Sequence, residues 1–122
     1  MIQAPISLGE LYDKISILEI KLSVMSDEEK LNNVKKEYIA LVNLSQYIDI
    51  ELYEELQTVN KDLWIIEDKI RLKEKEQEFD EDFILLARSV YKLNDKRAEI
   101  KKQINLKYES GIIEEKSYQK YE

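Results

Sequence analysis

The side chains best suited to recognition chemistry are concentrated in one stretch, ARSVYKLNDKR, at Ala87–Arg97. Two of the three arginines in the chain, Arg88 and Arg97, lie here together with Tyr91 and Asn94. A guanidinium group can form two parallel hydrogen bonds with a carboxylate or a phosphate, and tyrosine and asparagine add neutral donors. The stretch therefore indicates chemistry directed at an anion.

The composition excludes several kinds of catalysis. The chain has no histidine and no cysteine, so a thiol nucleophile, a Ser-His triad and an imidazole base are impossible. The same absence removes the usual ligands of structural zinc and of helical di-iron sites. We therefore expect no catalytic residue, no metal site and no cofactor, and an enzyme is the weaker of the two interpretations given below.

Charge and hydropathy limit the partners that we expect. A formal net charge of −7 argues against nucleic acid, because phosphate contacts require positive faces. No apolar run is long enough to span a membrane, and the N-terminal MIQAPISLGE lacks the basic and apolar regions of a signal peptide. Together with the absence of disulfide-forming residues, these features predict a cytoplasmic protein.

The hydrophobic periodicity predicts an all-α fold, a small helical bundle that forms one domain over residues 1–122. Only two glycines and one proline interrupt the chain, as expected for long amphipathic helices. Two capping boxes, Ser7 with Glu10 and Ser26 with Glu29, predict where two shorter N-terminal helices begin.

A long antiparallel hairpin, over about Asp49–Tyr108, is predicted to follow these two helices and to pack against them. Apolar residues recur every three or four positions from Leu52 to Ile70 and again from Phe83 to Ile104. Asp49 and Asp80 are the expected N-caps of the two arms, and Ser110-Gly111 is the expected end of the second.

Folding this hairpin at Phe79–Asp80 brings Arg71 level with Arg88 and places Asn60 within a turn of Arg97. The candidate ligand-binding residues are Asn60, Asp68, Arg71, Arg88, Tyr91, Asn94 and Arg97. Two interpretations stay open. Either the carboxylates of Glu67, Asp68 and Asp95 neutralise the arginines in an internal network that fixes the helix register, or the arginines bind a small external carboxylate, phosphate or sugar phosphate.

Two further segments are candidates for protein contacts. The first helix is apolar on two faces, and we expect the second face, with Ile17, Ile20 and Val24, to form a homodimer contact. The C-terminal tail, residues 111–122, is too apolar for a purely solvated segment; it either docks on the bundle or anchors in a partner through aromatic residues such as Tyr118.

Four sequence blocks, GELYDKISILEIK, VNKDLWIIEDKIR, LARSVYKLNDKRAEIKKQIN and EEKSY, carry a resemblance that runs from about Ile6 to Tyr118. They resemble a family of short bacterial proteins classed as a domain of unknown function. The resemblance implies a helical fold and no particular activity. The sequence as a whole favours a non-catalytic interaction module that is homodimeric, with an anion-binding bundle or enzyme as the alternative.

Overall fold

The computed structural model of the protein describes residues 1–45, 50–108 and 110–121, which contain four helices and no strand. The helices are α1 (Leu8–Val24), α2 (Glu28–Val42), α3 (Ile50–Glu76) and α4 (Glu81–Lys107). The predicted all-α bundle is therefore confirmed. The two long helices have 27 residues each, about 40 Å at the rise of an α-helix.

Side-chain caps define where three of the helices begin. Ser7 accepts a hydrogen bond from the backbone N–H of Glu10, as its capping box predicts. Asp80 caps α4 by accepting from the N–H of Phe83. The prediction that Ser26 caps α2 is wrong by one residue, because Asp27 performs this role. The predicted cap at Asp49 lies outside the described residues.

The connection between α3 and α4 is a short turn that reverses the chain. Gln77 has a φ of 56°, a left-handed conformation in which glycine is usual. The N–H of Glu78 donates to the carbonyl of Lys73, and the N–H of Gln77 donates to that of Glu74. These are the two bonds of a Schellman motif, so α3 ends by satisfying its own carbonyls and α4 starts antiparallel to it.

The hydrophobic core lies where α1 crosses this hairpin at the end farthest from its turn. α1 contacts α3 near Asn60 with Asp13 and near Tyr53 with Glu19, whereas it contacts α4 near Asn105 with Gly9. α1 therefore runs from one arm to the other. The buried core residues are Leu11, Tyr12, Ile15, Leu56, Val59, Leu63, Ile100 and Ile104.

The two apolar faces of α1 are explained by its central position in the bundle. α1 packs against each of the other three helices. Ile20 is only 3% exposed, so the prediction that it contacts a second protomer is wrong: the helices of its own chain cover it. Ile17 is half-buried, and Val24, at the end of α1, is exposed.

The hairpin extends well beyond this core as an arm of two helices. We define the distal arm as residues 64–99, and none of its residues is buried. Its apolar seam continues to the tip, whereas α1 contacts the arm at its base, where Arg97 binds Asp13 and Leu93 packs against the core. None of the helices in the described part of the chain is long and apolar enough to cross a membrane.

Candidate functional site

A buried carboxylate, Asp13, connects three of the four helices. It is 1% exposed and lies one turn into α1, beside α3 and α4. Its Oδ1 accepts hydrogen bonds from Asn60 Nδ2 and Arg97 Nε, each at 2.9 Å. Its Oδ2 accepts from Arg97 Nη2, so the guanidinium binds the carboxylate through two nitrogens. Asn60 also donates to Ser16 Oγ at 3.2 Å. We call these four residues the Asp13 cluster.

A lysine adds a second cation at the edge of this cluster. Lys101 Nζ lies 2.7 Å from Glu10 Oε2, 3.8 Å from Asp13 Oδ2 and 3.2 Å from Glu114 Oε2. The hydrogen bonds from Arg97 to Asp13 raise the pKa of the guanidinium further above its ordinary value. Buried charges require such pairing, because an isolated ion loses the hydration that water supplies.

The N-terminus of α1 docks onto the end of α4 through its free backbone donors. Gly9 N donates to Asn105 Oδ1 at 2.6 Å, and Leu8 N donates to Ser110 Oγ at 3.1 Å. With Ser7 capping Glu10, these contacts satisfy backbone donors that the first turn of a helix leaves without partners. The approach is close enough to require glycine: a Cβ at Gly9 would lie 2.6 Å from the carbonyl oxygen of Lys101.

The protein itself supplies the anion for one arginine of the Ala87–Arg97 stretch, because Arg97 binds the carboxylate of Asp13. Sequence considerations suggested Glu67, Asp68 and Asp95 for this role, but the carboxylate that binds Arg97 belongs to Asp13. Asp13 is not among the candidate residues predicted from the sequence, and its side chain is buried.

Five of the seven predicted ligand residues line one groove between α3 and α4, next to α1. This groove has a volume of about 370 Å³. The five are Asn60, Asp68, Arg71, Asn94 and Arg97. The structure does not bring all three arginines to one point: Arg71 has 78% of its side chain exposed and pairs with Glu67 of its own helix at 3.8 Å, and Arg88 is exposed.

A larger cavity of about 830 Å³ separates α4 from the C-terminal tail. Tyr91 and Asn94 line it, so these two candidates face the tail, and Asn94 also lines the groove between α3 and α4. The tail contributes Glu114, Lys116, Tyr118 and Tyr121 to its wall. Of these, Tyr118 is 74% exposed, so a partner could reach the ring.

Ion pairs and one ring contact hold the tail against α4. Glu114 binds Lys101 at 3.2 Å and Lys116 at 2.8 Å, and Glu115 binds Lys102 at 3.2 Å. The rings of Tyr91 and Tyr121 meet edge to face, with centroids 5.2 Å apart. The hydrogen bond from Lys116, followed by that from Lys101, lowers the pKa of Glu114 below its ordinary value of 4.5.

Acid should release the tail. Lys116 belongs to the tail itself, so only the part of the lowering that Lys101 causes is linked to docking. This part stabilises docking above the ordinary pKa of Glu114 and is lost as the pH falls through the lowered value. We expect the NMR resonances of residues 112–121 to move toward random-coil values below pH 4.5. Glu114→Gln should weaken this pH dependence, and a tail spectrum that does not change with pH would contradict the assignment.

A helical spacing in α1 could have revealed both the Asp13 cluster and the Gly9 contact from the sequence. Gly9, Asp13, Ser16 and Ile20 follow one another in steps of four, three and four, and all are buried. The first three of these residues are small or polar, and their contacts with Asn105, Arg97 and Asn60 place the stripe against α3 and α4. Small residues allow helices to approach closely, and the polar ones then find partners across the contact.

A second polar contact ties α1 to the beginning of α3. Tyr53 Oη donates to Glu19 Oε1 at 2.6 Å, and Gln57 Nε2 donates to Glu19 Oε2 at 3.0 Å. Burial, reinforced by this hydrogen bond, raises the pKa of Tyr53 well above its ordinary value, so the phenol stays protonated as a donor. The charged groups at the centre of the site are thus engaged with one another, which is the arrangement of a structural network.

Comparison with known proteins places the chain without assigning an activity to it. No curated protein and no solved structure matches the sequence. One family of unknown function matches residues 2–121, nearly the whole chain. The expectation drawn from the four sequence blocks is thereby confirmed at the level of a family without assigned function. The chain belongs to this family, DUF6165.

Proposed function

We propose that the protein is a non-catalytic helical interaction module that forms a homodimer through the distal arm of its hairpin. The observation that carries this proposal is the absence of buried residues between 64 and 99, although apolar side chains repeat along this segment. A two-helix hairpin is marginally stable when its apolar surface faces water on both sides, because two helices alone cannot enclose a core.

One face of the hairpin is especially suited to pairing. We define the open face as the side that α1 does not contact. A groove of about 460 Å³ lies on it near the tip, lined by residues of α3, α4 and their connection. Leu72 and Leu85 both line this groove and are 55% and 51% exposed. Ile65, one heptad before Leu72, extends the apolar surface and is 51% exposed.

The charges on the open face are arranged so that a second copy can complement them. Along α3, Lys69, Leu72 and Glu76 follow in helical steps of three and four; along α4, the corresponding order toward the base is Asp82, Leu85, Ser89 and Lys92. Both rows are therefore acidic at the tip, apolar in the middle and basic farther down. The tip, residues 74–82, holds six carboxylates and one lysine.

A two-fold axis near Leu72 and Leu85 would cover the apolar surface of the open face and pair its opposite charges at the same time. It would pack the leucines of two arms together and place each acidic tip opposite the lysines of the other arm. One face of a two-helix arm about 25 Å long and about 20 Å wide gives roughly 1,000 Å² for the pair, close to the lower limit of specific interfaces. We therefore expect reversible association.

Adjacent residues of equal exposure provide the decisive comparison. Leu85 lines the groove, whereas its neighbour Ile84, 54% exposed, does not. Leu85→Glu should weaken dimerisation at least tenfold, because it places a charge on the apolar centre of the contact. Ile84→Glu should leave the dissociation constant unchanged. Sedimentation velocity and native mass spectrometry measure both variants against the original chain.

The outcomes separate this proposal from its competitors. A chain that is monomeric at about 100 µM, where weak specific dimers still form, would refute self-association. Equal effects of Leu85→Glu and Ile84→Glu would show that dimerisation uses another surface. Since the chain has no cysteine, a single Ser89→Cys substitution offers an independent check: a short bifunctional thiol reagent should link two chains only when the open faces meet.

A further inference from the structure

The C-terminal tail binds α4 in the manner of an extended peptide ligand. Residues 112–121 contain no helix or strand, and they run antiparallel to α4. Glu114 and Glu115 contact Lys101 and Lys102, and Tyr121 reaches Tyr91, nearly three turns farther toward the start of the helix. The spans agree: seven residues of extended chain cover at most about 25 Å, and ten helical residues rise about 15 Å.

The attachment of the tail is weak. Every described residue from Gly111 onward is exposed, so no side chain of the tail is buried in the bundle. The side chains of Lys102 and Glu115 are 42% and 69% exposed, and ion pairs this exposed contribute about 0–1 kcal/mol. Ordering the backbone opposes docking by about 1–2 kcal/mol per residue. Apart from its two chain neighbours, nothing lies within 4 Å of the position that a Cβ would take at Gly111, so this residue packs against no other part of the bundle on that side.

The surface beneath the tail is preformed. If the tail leaves, Arg97 keeps its bidentate contact with Asp13, and Lys101 keeps Glu10 at 2.7 Å. Both side chains therefore stay in place for a replacement ligand. Lys102 loses the carboxylate of Glu115, and the ring of Tyr91 loses its contact with Tyr121.

We propose that this surface of α4 is a binding site for an extended acidic peptide of a partner protein, and that the tail is its intramolecular competitor. The fitting peptide carries two adjacent carboxylates for Lys101 and Lys102. About six residues later it carries an aromatic side chain for Tyr91. The tail competes at an effective concentration on the order of millimolar, as expected for a short flexible connection, so partner binding requires tail release. The site lies away from the open face, and the proposal is independent of dimerisation.

The test uses the full-length chain and a peptide of defined sequence. The substitutions Glu114→Gln, Glu115→Gln and Tyr121→Ala together remove the ion pairs and the ring contact that join the tail to α4, and they leave α4 unchanged. Faster trypsin cleavage after Lys116 than in the original chain should verify release; equal cleavage of the two chains would contradict docking of the tail on α4. A synthetic peptide of residues 111–122, GIIEEKSYQKYE, is then titrated into the isotope-labelled triple variant and into the original chain.

We expect saturable shifts of α4 resonances in the triple variant and an affinity at least tenfold weaker in the original chain. Adding Lys102→Glu to the triple variant should reduce the affinity at least tenfold, whereas Lys96→Glu, at an exposed site on another side of α4, should not change it. The proposal fails if the triple variant shows no saturation up to about 5 mM peptide, above the effective concentration of the tail. It also fails if Lys102→Glu has no effect, or if a scrambled peptide binds equally well.

Discussion

Replacing Asp13 with asparagine should destabilise the fold by about 3 kcal/mol, the lower end of the cost of breaking a buried ion pair. Asparagine keeps the size of the side chain and can still accept from Asn60, so the loss is electrostatic. The guanidinium of Arg97 would keep its charge and lose its anion, and Lys101 would retain two carboxylates. The lower end applies because 28% of the Arg97 side chain is exposed and water can partly rehydrate it.

Chemical and thermal denaturation measure this effect. For a chain of this length, about 3 kcal/mol corresponds to a decrease of about 10 °C in Tm. Asp68→Asn is the control, because Asp68 is exposed and its substitution should change stability by less than about 0.5 kcal/mol. In a double-mutant cycle, Arg97→Gln should recover part of the loss in the Asp13→Asn background, since no unpaired charge then remains. Additive effects would mean that the two side chains do not interact.

The architecture was predictable because the signals that encode it are local. A heptad repeat, a capping serine at position 7 and a capping aspartate at position 80 each act within a few residues, and the structure retains all of them. The one shifted cap has a local explanation too: Ser26 and Asp27 are adjacent and equally suitable, and the chain uses the aspartate. Periodicity did not indicate where α1 stops covering the hairpin, since the apolar seam of the distal arm continues unchanged to its tip.

The site was only partly predictable because its partners are remote in sequence. Asn60 lies 47 residues from Asp13 and Arg97 lies 84 residues from it. Hairpin register correctly brought Asn60 close to Arg97, because both belong to the hairpin. The direction in which α1 crosses the hairpin decides which carboxylate joins them, and no periodicity within one helix specifies that direction. The same crossing buries Ile20, which the pattern of α1 alone left available for a dimer.

Gly9→Ala should destabilise the protein by about 2 kcal/mol, although alanine normally favours a helix by about 1 kcal/mol over glycine. The reversal of sign follows from the close approach of α1 to α4. The new Cβ would meet the carbonyl oxygen of Lys101 at 2.6 Å and Asn105 Oδ1 at 3.0 Å. The carbonyl is backbone within a long helix and cannot rotate away, so α1 must move outward, at the cost of about 1–3 kcal/mol typical of overpacking.

That outward movement would also stretch the 2.6 Å hydrogen bond from Gly9 N to Asn105, so steric and polar losses reinforce each other. Gly111→Ala is the matched control: nothing lies within 4 Å of its Cβ and its φ is not positive. It should leave the free energy of unfolding unchanged within about 0.5 kcal/mol. If Gly9→Ala instead stabilises the chain in urea denaturation, the N-terminus of α1 does not dock on α4. The contact between Asp13 and Arg97 would then need another explanation, because the docking of Gly9 on α4 fixes the position along the hairpin at which α1 crosses it.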